Sequence, residues 1–115
     1  MEAKAIQKYI RRSPRKVRLV ADLVRGLNVE TALSQLKFTK KAAAEDVSKV
    51  IKSAAANLRD KNQDERLDNE LLYIKTIFVD AGATLKRIQP APQGRAHQIR
   101  KRTCHITAIV AKHEE

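Results

Sequence analysis

Leu85-Lys86-Arg87-Ile88-Gln89-Pro90-Ala91-Pro92-Gln93-Gly94-Arg95-Ala96-His97-Gln98-Ile99-Arg100-Lys101-Arg102 is the stretch on which the fold turns. At its centre Gln89, Pro90, Ala91, Pro92, Gln93 and Gly94 form a turn-forming run that builds no core of its own. Basic residues approach that turn from both sides: Lys86 and Arg87 before it, and Arg95, Arg100, Lys101 and Arg102 after it. Counting Lys112, residues 85–112 hold seven cations and no acid. The pattern predicts a two-stranded arm that projects from a globular body toward something densely negative.

Both flanks support that reading. Residues 71–79 are rich in β-branched and aromatic side chains and read as a strand. Residues 103–111 read as its partner, with Ile106, Ile109 and Val110 available to the core. The intervening residues 80–102 are either a long irregular loop or a continuation of both strands. A structureless loop of that size is unusual in a small domain and usually signals function. Run on as strands, each limb has about ten residues at about 3.3 Å each, a reach of about 30 Å. An isolated two-stranded ribbon is marginal in water, so the tip is expected to be mobile until a partner orders it.

Working back toward the N-terminus, residues 3–10 alternate loosely and suit a strand. Ser13-Pro14 is a helix start, a hydroxyl N-cap followed by proline at the first helical position. Val17, Val20, Ala21 and Val24 then make one apolar face, and Gly26 ends the helix as a left-handed cap. Asn28 caps a short second helix with Val29, Ala32, Leu33 and Leu36 turned inward. Thr39 is expected to open a longer third helix, striped by Ala43, Val47, Val50, Ile51, Ala54 and Leu58. The alanines at 42–44 and 54–56 suggest close approach to another element. Residues 60–70 are polar and read as a loop.

At 115 residues the chain suits a single domain: a body of residues 1–80 and 103–113, and an arm of about residues 81–102. Its net charge of +11 and pI near 10.2 make nucleic acid the leading partner class, ahead of an acidic membrane surface. The excess sits at the two ends, because acids and bases balance between residues 28 and 70. From residue 3 to 21 there are seven bases and no acid. Arg15, Arg18 and Arg25 share a helix face with Asp22, and Arg11, Arg12 and Lys16 extend the charge, a pattern suited to phosphates. Cations on the arm would contact phosphates and position the protein without reading sequence.

Catalytic chemistry finds no foothold. His97, His105 and His113 are evenly spaced along an extended segment, too far apart to share a metal ion, and no acidic cluster joins them. The single cysteine, Cys104, excludes an internal disulfide and reads as a small residue beside a packed strand. No apolar run is long enough for a membrane span, so a cytoplasmic protein is expected. Four aromatics are too few for base-stacking platforms. An architectural DNA-binding protein with a proline-tipped arm is the rival class, but it needs a dimer and a spare apolar face.

Several separated motifs resemble the bacterial large-subunit ribosomal protein twenty-two family over nearly the whole chain. They are Lys16-Val17-Arg18-Leu19-Val20-Ala21-Asp22-Leu23-Val24-Arg25-Gly26, Lys52-Ser53-Ala54-Ala55-Ala56-Asn57 and Ile77-Phe78-Val79-Asp80. The most specific are Lys86-Arg87-Ile88 with Pro90, Gly94-Arg95-Ala96, Ile99, and Lys101-Arg102-Thr103-Cys104-His105-Ile106-Thr107. The resemblance implies an α+β fold, three helices packed on a small antiparallel sheet with one long protruding β-hairpin. It implies a non-enzymatic, cofactor-free constituent of the large subunit, ribosome-bound, that contacts large-subunit rRNA, neighbouring ribosomal proteins and, at the arm tip, the nascent peptide. Lys86, Arg87, Arg95, Lys101 and Arg102 match family arm positions and inherit the rRNA-contact role, and Lys16, Arg18 and Arg25 inherit a weaker version. Residues 89–94 inherit the tunnel-lining tip. Two departures from the family pattern stand out: Ala91-Pro92 stands where Arg-Ala is frequent, and Arg100 where an apolar residue is common.

Overall fold

The structure, a computed structural model, describes residues 2–62, 67–90, 94 and 96–112, and within the two arm strands it gives the course of the backbone. In chain order the elements are β1 (Glu2–Ile10), α1 (Pro14–Val24), α2 (Val29–Phe38), α3 (Ala43–Lys61), β2 (Leu72–Ala81), β3 (Leu85–Pro90), β4 (Ala96–Lys101) and β5 (Cys104–Lys112). One 3-10 turn, Asn69–Leu71, leads into β2. This is the expected α+β class, with three helices against a small antiparallel sheet.

Helix α1 begins where proline allows it. Pro14 presets φ and gives up only an N–H that has no helical partner anyway. Ser13 holds the cap position in extended geometry, but its hydroxyl accepts no cap bond. Arg25 is the last capping residue and Gly26 follows at φ 80°, the left-handed conformation that glycine adopts without Cβ strain. Asn28 caps α2 as expected: its side-chain oxygen accepts from the Glu30 N–H at 2.9 Å. Its amide also donates to the Glu70 carbonyl at 2.6 Å, which ties the start of α2 to the entry of β2.

Thr39 does not open the third helix. Its N–H donates to Leu36 O at 3.2 Å and its hydroxyl to Gln35 O at 2.8 Å, so it closes α2 instead. A threonine hydroxyl suits either end of a helix, and here the carbonyls of α2 are nearer than any free N–H. Helix α3 starts at Ala43 with Glu45 and Asp46 in its first turn, where acids complement the helix dipole. Its expected stripe is buried in full, and Ala44 and Ala55 join it. The helix runs through Lys61, into the segment read as loop, and Leu67 beyond it is buried with its carbonyl held by Arg59 Nε at 2.8 Å.

The main sheet has the order β1-β5-β2, all antiparallel, with β5 at its centre. Helix α3 lies across β1 and β5, while α1 lies along β2. Ala3 and Ala5 on β1, Ile77 and Val79 on β2, and Cys104, Ile106, Ala108 and Val110 on β5 face the helices and are buried. Small residues on β1 let the long α3 lie close to the sheet. Ile109 was expected in the core, but register places it opposite Lys4 and Thr76 on the far face. The two-residue period of a strand forces that outcome once Ala108 and Val110 point inward.

The last pair of the main sheet at the arm end is Ala81 with Cys104. Residues 82–84 and 102–103 interrupt the ladder, and pairing resumes from Leu85–Lys101 to Pro90–Ala96 as a separate two-stranded sheet. The arm is therefore a continuation of both strands through a joint. At that joint the Gly82 N–H donates to Thr103 O at 2.9 Å, and the buried Thr103 hydroxyl donates to Ala83 O at 2.5 Å. A Cβ on Gly82 would sit 2.6 Å from Thr103 Oγ1, so only glycine fits without displacement. The molecule measures 66 × 26 × 16 Å, and its radius of gyration is 17.4 Å. A compact chain of this length would have a radius of gyration of about 13 Å.

Candidate nucleic-acid interface

The arginines of α1 divide into two groups. Strand β2 is an edge of the main sheet, and its outward carbonyls would lack partners. Arg18 donates from Nε and Nη2 to Val79 O at 3.2 and 3.0 Å. Arg25, two helical turns on, donates from Nη2 to Ile77 O at 2.9 Å and from Nη1 to Asp22 Oδ1 at 2.5 Å. These two side chains cover the edge against unwanted strand pairing. A guanidinium carries five N–H donors, so each keeps capacity for an outside acceptor. Arg15 and Lys16 are exposed.

Ahead of α1, Arg11 is exposed and Arg12 donates from Nε to Asp46 on α3, which fixes its direction. Arg11, Arg12 and Lys16 then line a cleft of about 780 Å³ together with Lys101 and Arg102 from the arm root. The fold thus joins the basic N-terminal segment to the base of the arm, though the two lie far apart in sequence. Lys41, at the corner between α2 and α3, lines the same cleft. Sequence reasoning missed it, because Lys41 lies in the stretch where acids and bases balance. The only signal was its adjacency to Lys40 and the lack of an acid between Glu30 and Glu45.

On the arm, Lys86 on β3 is paired directly with Arg100 on β4, Arg87 with Ile99, and Leu85 with Lys101. Gln89 and Pro90 close β3 opposite His97 and Ala96. Gly94 is exposed with φ 72°. Ala91, Pro92, Gln93 and Arg95 lie outside the described residues.

Cys104 and His105 resolve as packing, while His113 lies outside the described residues. Cys104 is fully buried, and that burial, followed by the nearby Asp46 charge, pushes its thiol pKa up despite Arg18 and Arg12. A raised pKa makes a poor nucleophile. His105 accepts the Tyr9 N–H at Nδ1 (3.0 Å), and the Tyr9 ring meets it edge-on at a centroid distance of 5.0 Å. Tyr9 sits at φ 59° in the bulge between Gln7 and Ile10, a strained backbone held by this contact. Among the described residues no cluster of His, Cys, Asp or Glu could hold a metal ion, and no helix is long and apolar enough to cross a membrane.

Fold and site together define a small α+β protein with a basic two-stranded arm. The chain belongs to the ribosomal protein L22p/L17e family, whose model matches residues 5–111. It is 55% identical over 114 residues to the large ribosomal subunit protein uL22 of Desulfitobacterium hafniense (strain DSM 10664 / DCB-2), covering 99% of this chain and 97% of that one. It is 52% identical over 115 residues to the uL22 of Desulforamulus reducens, covering 100% and 99% of the two chains. With the uL22 of Chlorobaculum tepidum it shares 51% over 114 residues, 99% and 96% of the respective lengths. Membership makes it a structural protein and not an enzyme.

Proposed function

We propose that this chain is a structural constituent of the large ribosomal subunit that binds large-subunit rRNA and assists its assembly. On this reading it extends the β3–β4 arm so that residues 89–94 line the nascent-peptide exit tunnel. Its partners are rRNA, neighbouring large-subunit proteins and, at the tip, the nascent peptide, all on cytoplasmic ribosomes. Family membership and the names of its relatives support the subunit assignment.

The observation that carries RNA binding is the arm's register. Lys86 stands directly opposite Arg100 on a ribbon of two strands. Like charges directly opposite one another destabilise a ribbon. A phosphate between or beside them reverses the sign, so the arm is built to be stable against a polyanion and not alone. Arg18, Arg25 and Arg12 serve the fold first and offer phosphates only their remaining donors.

Sedimentation of a lysate on a sucrose gradient, before and after a high-salt wash, tests this. Surface-adsorbed cations release as salt screens them, whereas a threaded arm holds. The chain is expected to stay with the large subunit through the wash. Release into the soluble or nucleoid fraction would contradict the assignment and favour the DNA-architectural class. Reversing charge at Arg87 and Arg102 should make the dependence of log K on log salt shallower by roughly 0.7–0.9 per lost phosphate contact.

A further inference from the structure

We propose that the α2–α3 corner completes a phosphate-binding cleft at the arm root, with Lys41 as a contact residue for successive phosphates of one RNA strand. The proposal rests on the rRNA-binding reading above and names a site within it.

Three separate parts of the chain meet in this cleft. Arg11, Arg12 and Lys16 come from the β1–α1 connection and the first turn of α1, Lys41 from the corner, and Lys101 and Arg102 from the arm root. Among the described residues no acid lines it, and Asp46 on α3 pairs with Arg12. Six cations surround one concavity, only Arg12 among them offset by a carboxylate among the described residues, so their mutual repulsion raises the energy of the empty site and an entering anion relieves it.

Lys41 is held in place by backbone and not by its charge. Thr39 is bonded twice to the end of α2, and the Lys41 carbonyl accepts the Ala44 N–H at 3.0 Å as α3 begins. Its ammonium makes no ion pair among the described residues. A volume of about 780 Å³ exceeds what one phosphate fills and falls in the range of about 300–1,000 Å³ typical of ligand clefts. Helix α1 opens at this cleft with no acid in its first turn and no side-chain cap, so its dipole adds to the positive field. Arginine forks and lysine points together suit a bent run of phosphates better than a single carboxylate.

The test is equilibrium binding of the full chain to large-subunit rRNA across a range of salt. Lys41→Gln is expected to make the log K against log salt slope shallower by roughly 0.7–0.9. Lys49→Gln, on α3 and paired with Glu45, is expected to leave the slope as in the parent chain. A parental slope in Lys41→Gln overturns the proposal. If that variant instead loses binding to polyglutamate, the cleft belongs to an acidic protein segment and the proposal is likewise overturned. Absence of salt-dependent rRNA binding by the parent chain removes the RNA reading itself, and the Lys41 site with it.

Discussion

The main sheet and the arm are built from the same pair of strands, yet they are stabilised in opposite ways. From Leu72 to Ala81 and from Cys104 to Lys112 the strands bury Ile77, Val79, Ile106 and Val110 against three helices. Beyond the joint at residues 82–84 and 102–103 the two limbs pair with each other as a separate two-stranded sheet, and their sequence adds Lys86, Arg87, Arg100 and Lys101. The sheet shared with the helices therefore ends at the joint, and on the proposed function the arm beyond it serves binding. One continuous hairpin serves both purposes because backbone pairing needs no particular side chains, whereas burial does.

The largest expected effect lies on the body side. Ile51 is fully buried under the sheet, so Ile51→Ala should cost about 2–5 kcal/mol in urea unfolding. Removing residues 89–93 should by contrast leave the thermal transition of the body in place. If that deletion abolishes the transition, the division at the joint is wrong.

Next comes the joint itself. Gly82→Ala drives a methyl to 2.6 Å from Thr103 Oγ1, and Thr103 cannot yield easily because it is buried and bonded to Ala83 O. A loss of about 1–3 kcal/mol is expected, with Thr103→Ala in the same chain recovering part of it. No recovery would mean that the contact at Thr103 is not the cause.

A smaller effect separates the arginines bonded to the fold from the exposed one. Arg18→Met removes the fork on Val79 O and should cost about 1–2 kcal/mol by thermal melting. Arg15→Met, on the exposed side of the same helix, should leave stability within about 0.5 kcal/mol. Equal losses in both variants would erase the distinction.

The smallest effect is a surface titration. Lys75 donates to Glu2 at 2.6 Å, and this bond, then the lysine charge, holds the Glu2 carboxyl below its ordinary range. Its contribution is present above the ordinary carboxylate value and fades as pH falls through the lowered one. A carbon-detected NMR titration should show that low midpoint, and Lys75→Met should return it to the ordinary range.

Most of the body was legible because its signals are local. Pro14 and Gly26 bracket α1, Asn28 caps α2, and the stripe from Ala43 to Leu58 leaves α3 little freedom. Where a residue had two physically equal uses, sequence could not choose. Thr39 could open α3 or close α2, and the geometry of the corner decided. Ile109 was apolar in an apolar strand, and only the register beside Ala108 and Val110 sent it outward. The cleft at the arm root was harder still. Arg12, Lys41 and Arg102 approach one another only through the fold, so charge counted along the chain split them between two basic ends and a neutral middle. The edge-covering role of Arg18 and Arg25 was hidden for the same reason, because a helix face of arginines looks alike whether it meets a carbonyl or a phosphate.

Amide hydrogen exchange on the full chain, free and within the large subunit, tests the division most directly. The β1-β5-β2 sheet should be strongly protected in both states. The amides of β3 and β4 should exchange fast in the free chain and slowly in the subunit, as expected for a ribbon stabilised by its partner. Protection of β3 and β4 equal to that of β5 in the free chain would contradict the account and make the arm part of the folding unit.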